Sequence, residues 1–223
     1  MPSYYSENLA AERLKLCYDL APPSVKMYLA AEIKHLIERA TLSGRVLELG
    51  CGYGRVLREL SHTGASVVGI DTSPQSLSMA QQLLKEEDNA SLLLMDAVRL
   101  AFPSGVFDVV CCIQNGISAF HVDQRELLSE AVRVSKPGGR VLFSSYADEF
   151  WKDRLEWFRI QSSQGLVGEI DEASTGNGII VTKDGFTATT VTSAQFLDLT
   201  QGLGSSRTVT VVAGSSLFCE ILV

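Results

Sequence analysis

The residues best placed to do chemistry lie in one ten-residue stretch, Val46-Leu47-Glu48-Leu49-Gly50-Cys51-Gly52-Tyr53-Gly54-Arg55. An apolar run ends there and a helix begins almost at once, with glycine at positions 50, 52 and 54. Glycine tolerates positive φ and lets a ligand approach the bare backbone. The helix start that follows offers unpaired N–H groups. A carboxylate, Asp71, closes the next apolar run, 21 residues beyond Gly50. In a mononucleotide-binding half-fold an acid at that place accepts hydrogen bonds from ribose hydroxyls. A nucleoside-containing ligand is therefore expected at the C-terminal ends of parallel strands.

The spacing narrows the choice of nucleoside. A dinucleotide fingerprint reads GxGxxG and seats a pyrophosphate on the helix N-terminus. Here the third glycine falls one position early, and Glu48 stands two residues before the first. A carboxylate repels a pyrophosphate and attracts an ammonium. The pattern suits a cationic nucleoside that carries an amino acid and no phosphate.

These residues need elements to hold them. Residues 7–40 read as two helices, parted by Ala21-Pro22-Pro23, with Ser24 expected to cap the second. From Arg45 onward short apolar runs alternate with helical periodicity: strands at 46–49, 66–70, 91–95, 107–113 and 141–145, with helices between them. Ser73 followed by Pro74 marks one helix start, and Asp123 with Glu126 marks another, which should run to Lys136-Pro137-Gly138-Gly139. Strands alternating with helices predict a parallel sheet covered on both faces. After Asp148 a helix carries Phe150, Trp151, Leu155, Trp157 and Phe158; those aromatics read as core for the most part, or as a pocket wall. A hairpin turning at Lys183-Asp184-Gly185, a helix within 192–203 and a closing antiparallel pair at 207–223 follow.

At this point the sequence resembles the class I S-adenosylmethionine-dependent methyltransferases. Glu48-Leu49-Gly50-Cys51-Gly52-Tyr53-Gly54 matches the first motif and Val67-Val68-Gly69-Ile70-Asp71 the second. Leu94-Met95-Asp96-Ala97, Phe107-Asp108-Val109-Val110 and Lys136-Pro137-Gly138-Gly139 are similar to the motifs that follow, in the right order, over roughly residues 40–147. The resemblance implies an α/β fold: a doubly wound, mostly parallel seven-stranded sheet with an antiparallel C-terminal strand pair. It also implies a helical lid over residues 1–40 and a Rossmann-like domain over 41–223, with a helix and β-hairpin insertion at 148–192. The implied cofactor is S-adenosyl-L-methionine. Gly50, Cys51, Gly52 and Gly54 would pack against its methionyl part, with Glu48 near the amino group. Asp71 would hold the ribose, with Thr72 and Ser73 beside the adenine and Asp96 and Ala97 against the ring. Gln114 and Asn115 would border the transferred methyl.

Methyl transfer is an in-line displacement in which the protein mainly supplies proximity, orientation and exclusion of water. A base is needed only where the nucleophile arrives protonated. His121 is one candidate, histidine being the side chain that titrates nearest neutral pH, although a loop histidine without a role is the plainer reading. Tyr146, at the end of strand five, is a candidate for the pocket. Tyr4, Tyr5, Tyr18 and Tyr28 could reach the site from the lid, with packing as their ordinary role. His35 and His62 read as structural and surface residues. Arg55 either pairs with Glu48 or borders the site.

Composition bounds the rest. The chain has 223 residues, 46% of them hydrophobic, with 19 basic against 26 acidic side chains and a net charge of −7. That balance argues against nucleic acid as a partner, and residues 114–121 lack the Asp/Asn-Pro-Pro-aromatic run of the family's nucleic-acid amino-methylating members. A small-molecule substrate is expected. No run approaches the ~18 apolar residues of a membrane-spanning helix, and the first residues do not read as a secretory signal. Five cysteines without paired spacing suit a cytoplasmic protein with buried thiols and no metal site. A binding protein without transfer activity, a protein methyltransferase and an aminopropyl-transfer enzyme on the same fold remain the competing readings.

Overall fold

The computed structural model describes residues 9–40 and 44–223; Tyr4 and Tyr5 lie outside them. Helices α1 (Glu12–Asp19) and α2 (Pro23–Ile37) precede strand β1 (Arg45–Leu49). The chain then runs through α3 (Arg55–Ser61), β2 (Ser66–Asp71), α4 (Pro74–Leu83), β3 (Ala90–Leu94), β4 (Phe107–Cys112), the short α5 (Gly116–Ala119), α6 (Gln124–Val134) and β5 (Ser135–Tyr146). A 3-10 turn leads into α7 (Trp151–Ser163), a ribbon of β6 (Ile180–Val181) and β7 (Thr187–Ala188), α8 (Ser193–Leu199), β8 (Ser206–Val212) and β9 (Ser216–Leu222).

Seven strands form one sheet in the order β3-β2-β1-β4-β5-β9-β8. The first five are parallel, and β9 runs antiparallel between β5 and β8. The chain leaves β1 on one side and returns at β4 on the other, so the strand order reverses at β1/β4, where ligands of open α/β sheets sit. Val46, Leu47, Val67, Ile70, Val109, Val110, Val141 and Phe143 are buried, as strands covered on both faces require.

Two helix boundaries differ in detail from the sequence pattern. The second helix begins at Pro23, with Pro22 at its N-cap and no side-chain cap, rather than after Ser24. Proline at the first position needs no N–H partner and brings its φ preset. Asp123 Oδ1 accepts the Glu126 N–H at 2.9 Å and caps its helix as expected, but the helix stops at Val134. Ser135 already pairs with Phe107, and Lys136–Gly139 form an irregularity within β5.

One apolar cluster joins parts of the chain far apart in sequence. Leu9, ahead of α1, and Cys17, Val25 and Tyr28 from the N-terminal helices pack with Phe150, Trp157 and Phe158 and with Leu166, Ile180 and Phe186 beyond α7. The Trp157 indole N–H donates to the Cys17 carbonyl at 2.8 Å, tying α7 to α1. Helix α2 is pinned to β9 as well, through His35 and Arg39 on the Glu220 carboxylate at 2.9 and 2.7 Å. Together these segments roof the C-terminal edge of the sheet.

Candidate active site

The glycine turn is shaped by three positive-φ positions: Gly50 at 72°, Gly52 at 53° and Gly54 at 88°. Gly54 caps α3, and a Cβ there would press on Ala80 and Leu84, so its bareness lets α3 pack on α4. The turn is stitched to β2. Cys51 N–H donates to the Ile70 carbonyl at 2.9 Å, and Gly52 N–H to Asp71 Oδ2 at 2.8 Å. Asp71 Oδ1 accepts the Ser73 N–H at 2.8 Å. Burial lifts the Asp71 carboxyl above its ordinary value while these amides pull it back.

A cavity opens above this turn. Of the residues singled out from the sequence, Glu48, Gly50, Cys51, Gly52, Asp71, Gln114, Asn115 and Tyr146 line it. Gly54, Thr72, Ser73, Asp96 and Ala97 stand outside its wall. Ser73 is buried as the cap of α4, accepting the Ser76 N–H at 3.1 Å. Ala97 is part of the core. Thr72 and Asp96 are exposed; Met95 N–H donates to the Asp71 carbonyl, so both acids sit at adjacent strand tips. His121 is exposed with φ 52° and does not touch the cavity. His62 is exposed beside Glu87, and His35 is buried on Glu220.

Among the cavity-lining side chains, Glu48 Oε2, Arg55 Nη2 and Gln114 Nε2 are buried polar atoms with no hydrogen-bond partner among the described residues. Desolvation pushes the Glu48 carboxyl up to about 8, against the pull of the Arg55 guanidinium. Arg55 makes no ion pair with Glu48 among the described residues; its guanidinium lies 4.7 Å from the Tyr18 ring centroid. Buried groups are ordinarily paired, so one acceptor and two donors facing a common space mark a place for a ligand carrying both signs of charge.

Gln114 and Asn115 follow β4 in consecutive left-handed conformations, φ 59° and 61°. Non-glycine residues there are strained, and such strain gathers at functional sites. The turn is held from several sides. Gln114 N–H donates to Glu32 Oε2 and to Ser144 Oγ, both at 2.8 Å, and Tyr18 O–H donates to Gln114 Oε1 at 2.9 Å. Asn115 donates to the Thr189 carbonyl at 2.9 Å and accepts from Ser145 Oγ at 2.8 Å.

Beyond the glycine turn the wall is largely apolar and aromatic, with Leu14 against Gly52 and Leu9, Cys17, Ile113, Tyr146, Trp157, Phe158 and Ala188 completing it. Trp157 and Phe158 are thus both core and wall. Sequence reasoning missed four contributors. Phe120 lies on Gly50 so closely that a Cβ there would overlap its ring. Gln161 belongs to the wall. Arg154 is buried in the wall, donating to the carbonyls of Gly178 at 2.7 Å and Ala188 at 2.9 Å, with its guanidinium 4.7 Å from the Tyr146 ring centroid. Glu32, on α2, reaches the site through the Gln114 N–H. A lone arginine in an amphipathic helix carries no signal of burial. The acidic stretch Glu169-Ile170-Asp171-Glu172 is engaged at the surface, with Glu169 on Lys183 and Glu172 on Arg159.

The strand order, the reversed β9 and a cavity over the first strand–helix turn together define the class I methyltransferase fold. Residues 46–139 match the family model described as "Methyltransferase domain". The chain is similar to the 2-methyl-6-phytyl-1,4-hydroquinone methyltransferase of Synechocystis sp., 32% identical over 134 residues, 56% of this chain and 42% of that protein. It is similar also to the ubiquinone biosynthesis O-methyltransferase of Thiobacillus denitrificans, 37% identical over 112 residues, 48% of this chain and 47% of that one. The matched stretch spans less than half the length of each relative. The crystal structure of the PH0226 protein from Pyrococcus horikoshii OT3 shares the fold with a TM-score of 0.66 at 21% identity, over 92% of this chain and 93% of that one.

Proposed function

We propose that this chain transfers a methyl group from S-adenosyl-L-methionine to an N, O or C nucleophile of a small molecule. The observation that carries the reading is the meeting of Glu48 Oε2, Arg55 Nη2 and Gln114 Nε2, each buried and unpartnered among the described residues, in one cavity over bare glycine backbone. An ammonium needs an acceptor and a carboxylate needs donors, and this set offers both. A pyrophosphate would meet Glu48 instead, which disfavours a nicotinamide dinucleotide.

The cofactor supplies an electrophilic methyl on a sulfonium. The residues assigned to hold it are Glu48 and Arg55 at its amino-acid end, with Gly50, Cys51 and Gly52 as the surface beneath. Asp71 keeps a free lone pair on each oxygen beside its backbone contacts and is assigned to the ribose. Thr72, Ser73, Asp96 and Ala97, around the adjoining strand tips, are assigned to the adenine side. Gln114 is assigned both to that amino-acid end and, with Asn115 and Tyr146, to the meeting of cofactor and acceptor. The wall's chemistry is orientation and exclusion of water.

A small acceptor fits a cavity roofed by Leu9, Leu14 and Tyr18 better than a peptide or a nucleic acid does. The two quinol- and quinone-related relatives point the same way by their names. No described helix is long and apolar enough to cross a membrane. Five free, buried cysteines agree with a reducing, cytoplasmic setting. A labelled methyl-donor assay against phenols, quinols, amines and thiols tests the proposal. Label on one acceptor class supports it, whereas cofactor binding without transfer to any would favour a binding protein.

A further inference from the structure

Among the described residues Glu32 is the most buried acid outside the cavity wall, with no exposed surface, in the middle of α2. Burying a carboxylate is costly unless donors surround it. Its donors come from two separate parts of the fold. Oε2 accepts the Gln114 N–H at 2.8 Å from the turn after β4, and Oε1 accepts from Ser216 Oγ at the start of β9. Ser144 on β5 shares the same Gln114 N–H. Residues 82 and 184 positions away in sequence are thus gathered on one side chain.

The geometry matters because Gln114 has turned out of the strand. With φ at 59° its N–H no longer joins the β4 ladder, which ends at Cys112. A buried N–H without a partner would let the turn relax. With the backbone fixed by Glu32 and the side-chain oxygen by Tyr18 O–H, Gln114 Nε2 faces the cavity as an unpaired donor. We infer that Glu32 is a positioning residue: its carboxylate clamps the Gln114–Asn115 turn and thereby aims the Gln114 amide at the ligand. The role of Gln114 toward the cofactor rests on the function proposed above; the clamp itself does not.

The test separates the two. In isotope-labelled protein, the Gln114 backbone amide is followed by NMR from pH 5 to 9. Burial lifts the Glu32 carboxyl to about 7, against the pull of Ser216, Ser144 and the Gln114 amide. The other titratable groups that sense it, Tyr18, Tyr28 and Cys112, are all pushed far above this window. Glu48 titrates nearby and is controlled by Glu48→Gln. The Gln114 amide is expected to titrate in wild type and in Glu48→Gln, and to lose that titration in Glu32→Gln.

The functional arm is calorimetric binding of S-adenosylhomocysteine at pH 8. Glu32→Gln keeps one acceptor oxygen and is expected to bind within about threefold of wild type. Glu32→Asp keeps the charge but withdraws it by one methylene, and is expected to bind about tenfold more weakly, the value of one lost hydrogen bond. Glu32→Met should do at least as much; where it fails to fold, Glu32→Asp decides. A Gln114 amide indifferent to pH and to Glu32→Gln overturns the clamp. So does Glu32→Asp binding as tightly as wild type. A wild-type protein that shows the amide titration and binds no S-adenosylhomocysteine leaves the clamp standing and overturns the proposed function instead.

Discussion

Asp71 Oδ2 accepts the backbone N–H of Gly52 at 2.8 Å, so the acid assigned to the ribose also braces the turn assigned to the methionyl part. Binding and local structure are coupled through one side chain. Asp71→Ala removes the acceptor for two backbone amides, at Gly52 and Ser73. It is expected to cost about 1–3 kcal/mol of stability and to abolish most binding of S-adenosylhomocysteine. Asp71→Asn keeps one acceptor oxygen and should fall between. Urea unfolding and calorimetry read the two effects; a variant that binds normally would remove Asp71 from the ribose.

Gly50 presents two separable obstacles to a side chain. Its φ of 72° disfavours any other residue by about 1–2 kcal/mol, and a Cβ would overlap the Phe120 ring. Gly50→Ala is therefore expected to lose more stability than backbone strain alone explains. In a Phe120→Ala background the substitution should cost only the strain. A double-mutant cycle by urea unfolding checks this; equal costs in both backgrounds would mean the ring yields freely.

The two buried glutamates fix a pH dependence. In the unfolded chain both lose their protons near the ordinary carboxylate value, whereas in the folded, ligand-free protein Glu32 holds its proton to about 7 and Glu48 to about 8. Between those limits the native state binds more protons, so stability falls as pH rises, by up to about 1.4 kcal/mol per pH unit for each group. Denaturant midpoints measured from pH 5 to 8 should decline, and Glu48→Gln should flatten the decline. A midpoint that rises through this range contradicts the burial of charge at both sites.

Much of this architecture is legible from local pattern. The three glycines, the acid at the second strand tip and the Ser73–Pro74 helix start depend on residues adjacent in sequence, and each forms as expected. The hairpin turning at Asp184-Gly185 and the closing pair β8–β9 are of the same kind. What stayed hidden depends on distant partners. Glu32 looks like one polar break on an apolar helix face until Gln114 and Ser216 arrive. Phe120 looks like an ordinary apolar residue until the fold lays it on Gly50. Arg154 is buried because carbonyls of the 178–188 segment accept its protons, and that segment's path is not written in the helix carrying it.

The central claim is that Glu48, Arg55 and Gln114 await a zwitterionic amino-acid group attached to a nucleoside. Titration calorimetry of wild type and Glu48→Gln with S-adenosylhomocysteine and with NAD, between pH 6 and 8, tests it most directly. The expected result is saturable binding of S-adenosylhomocysteine alone, tightening as pH rises because the ammonium drives the Glu48 proton off, and about tenfold weaker and less pH-dependent in Glu48→Gln. Binding of NAD in preference, or S-adenosylhomocysteine binding unaffected by Glu48→Gln, would contradict it.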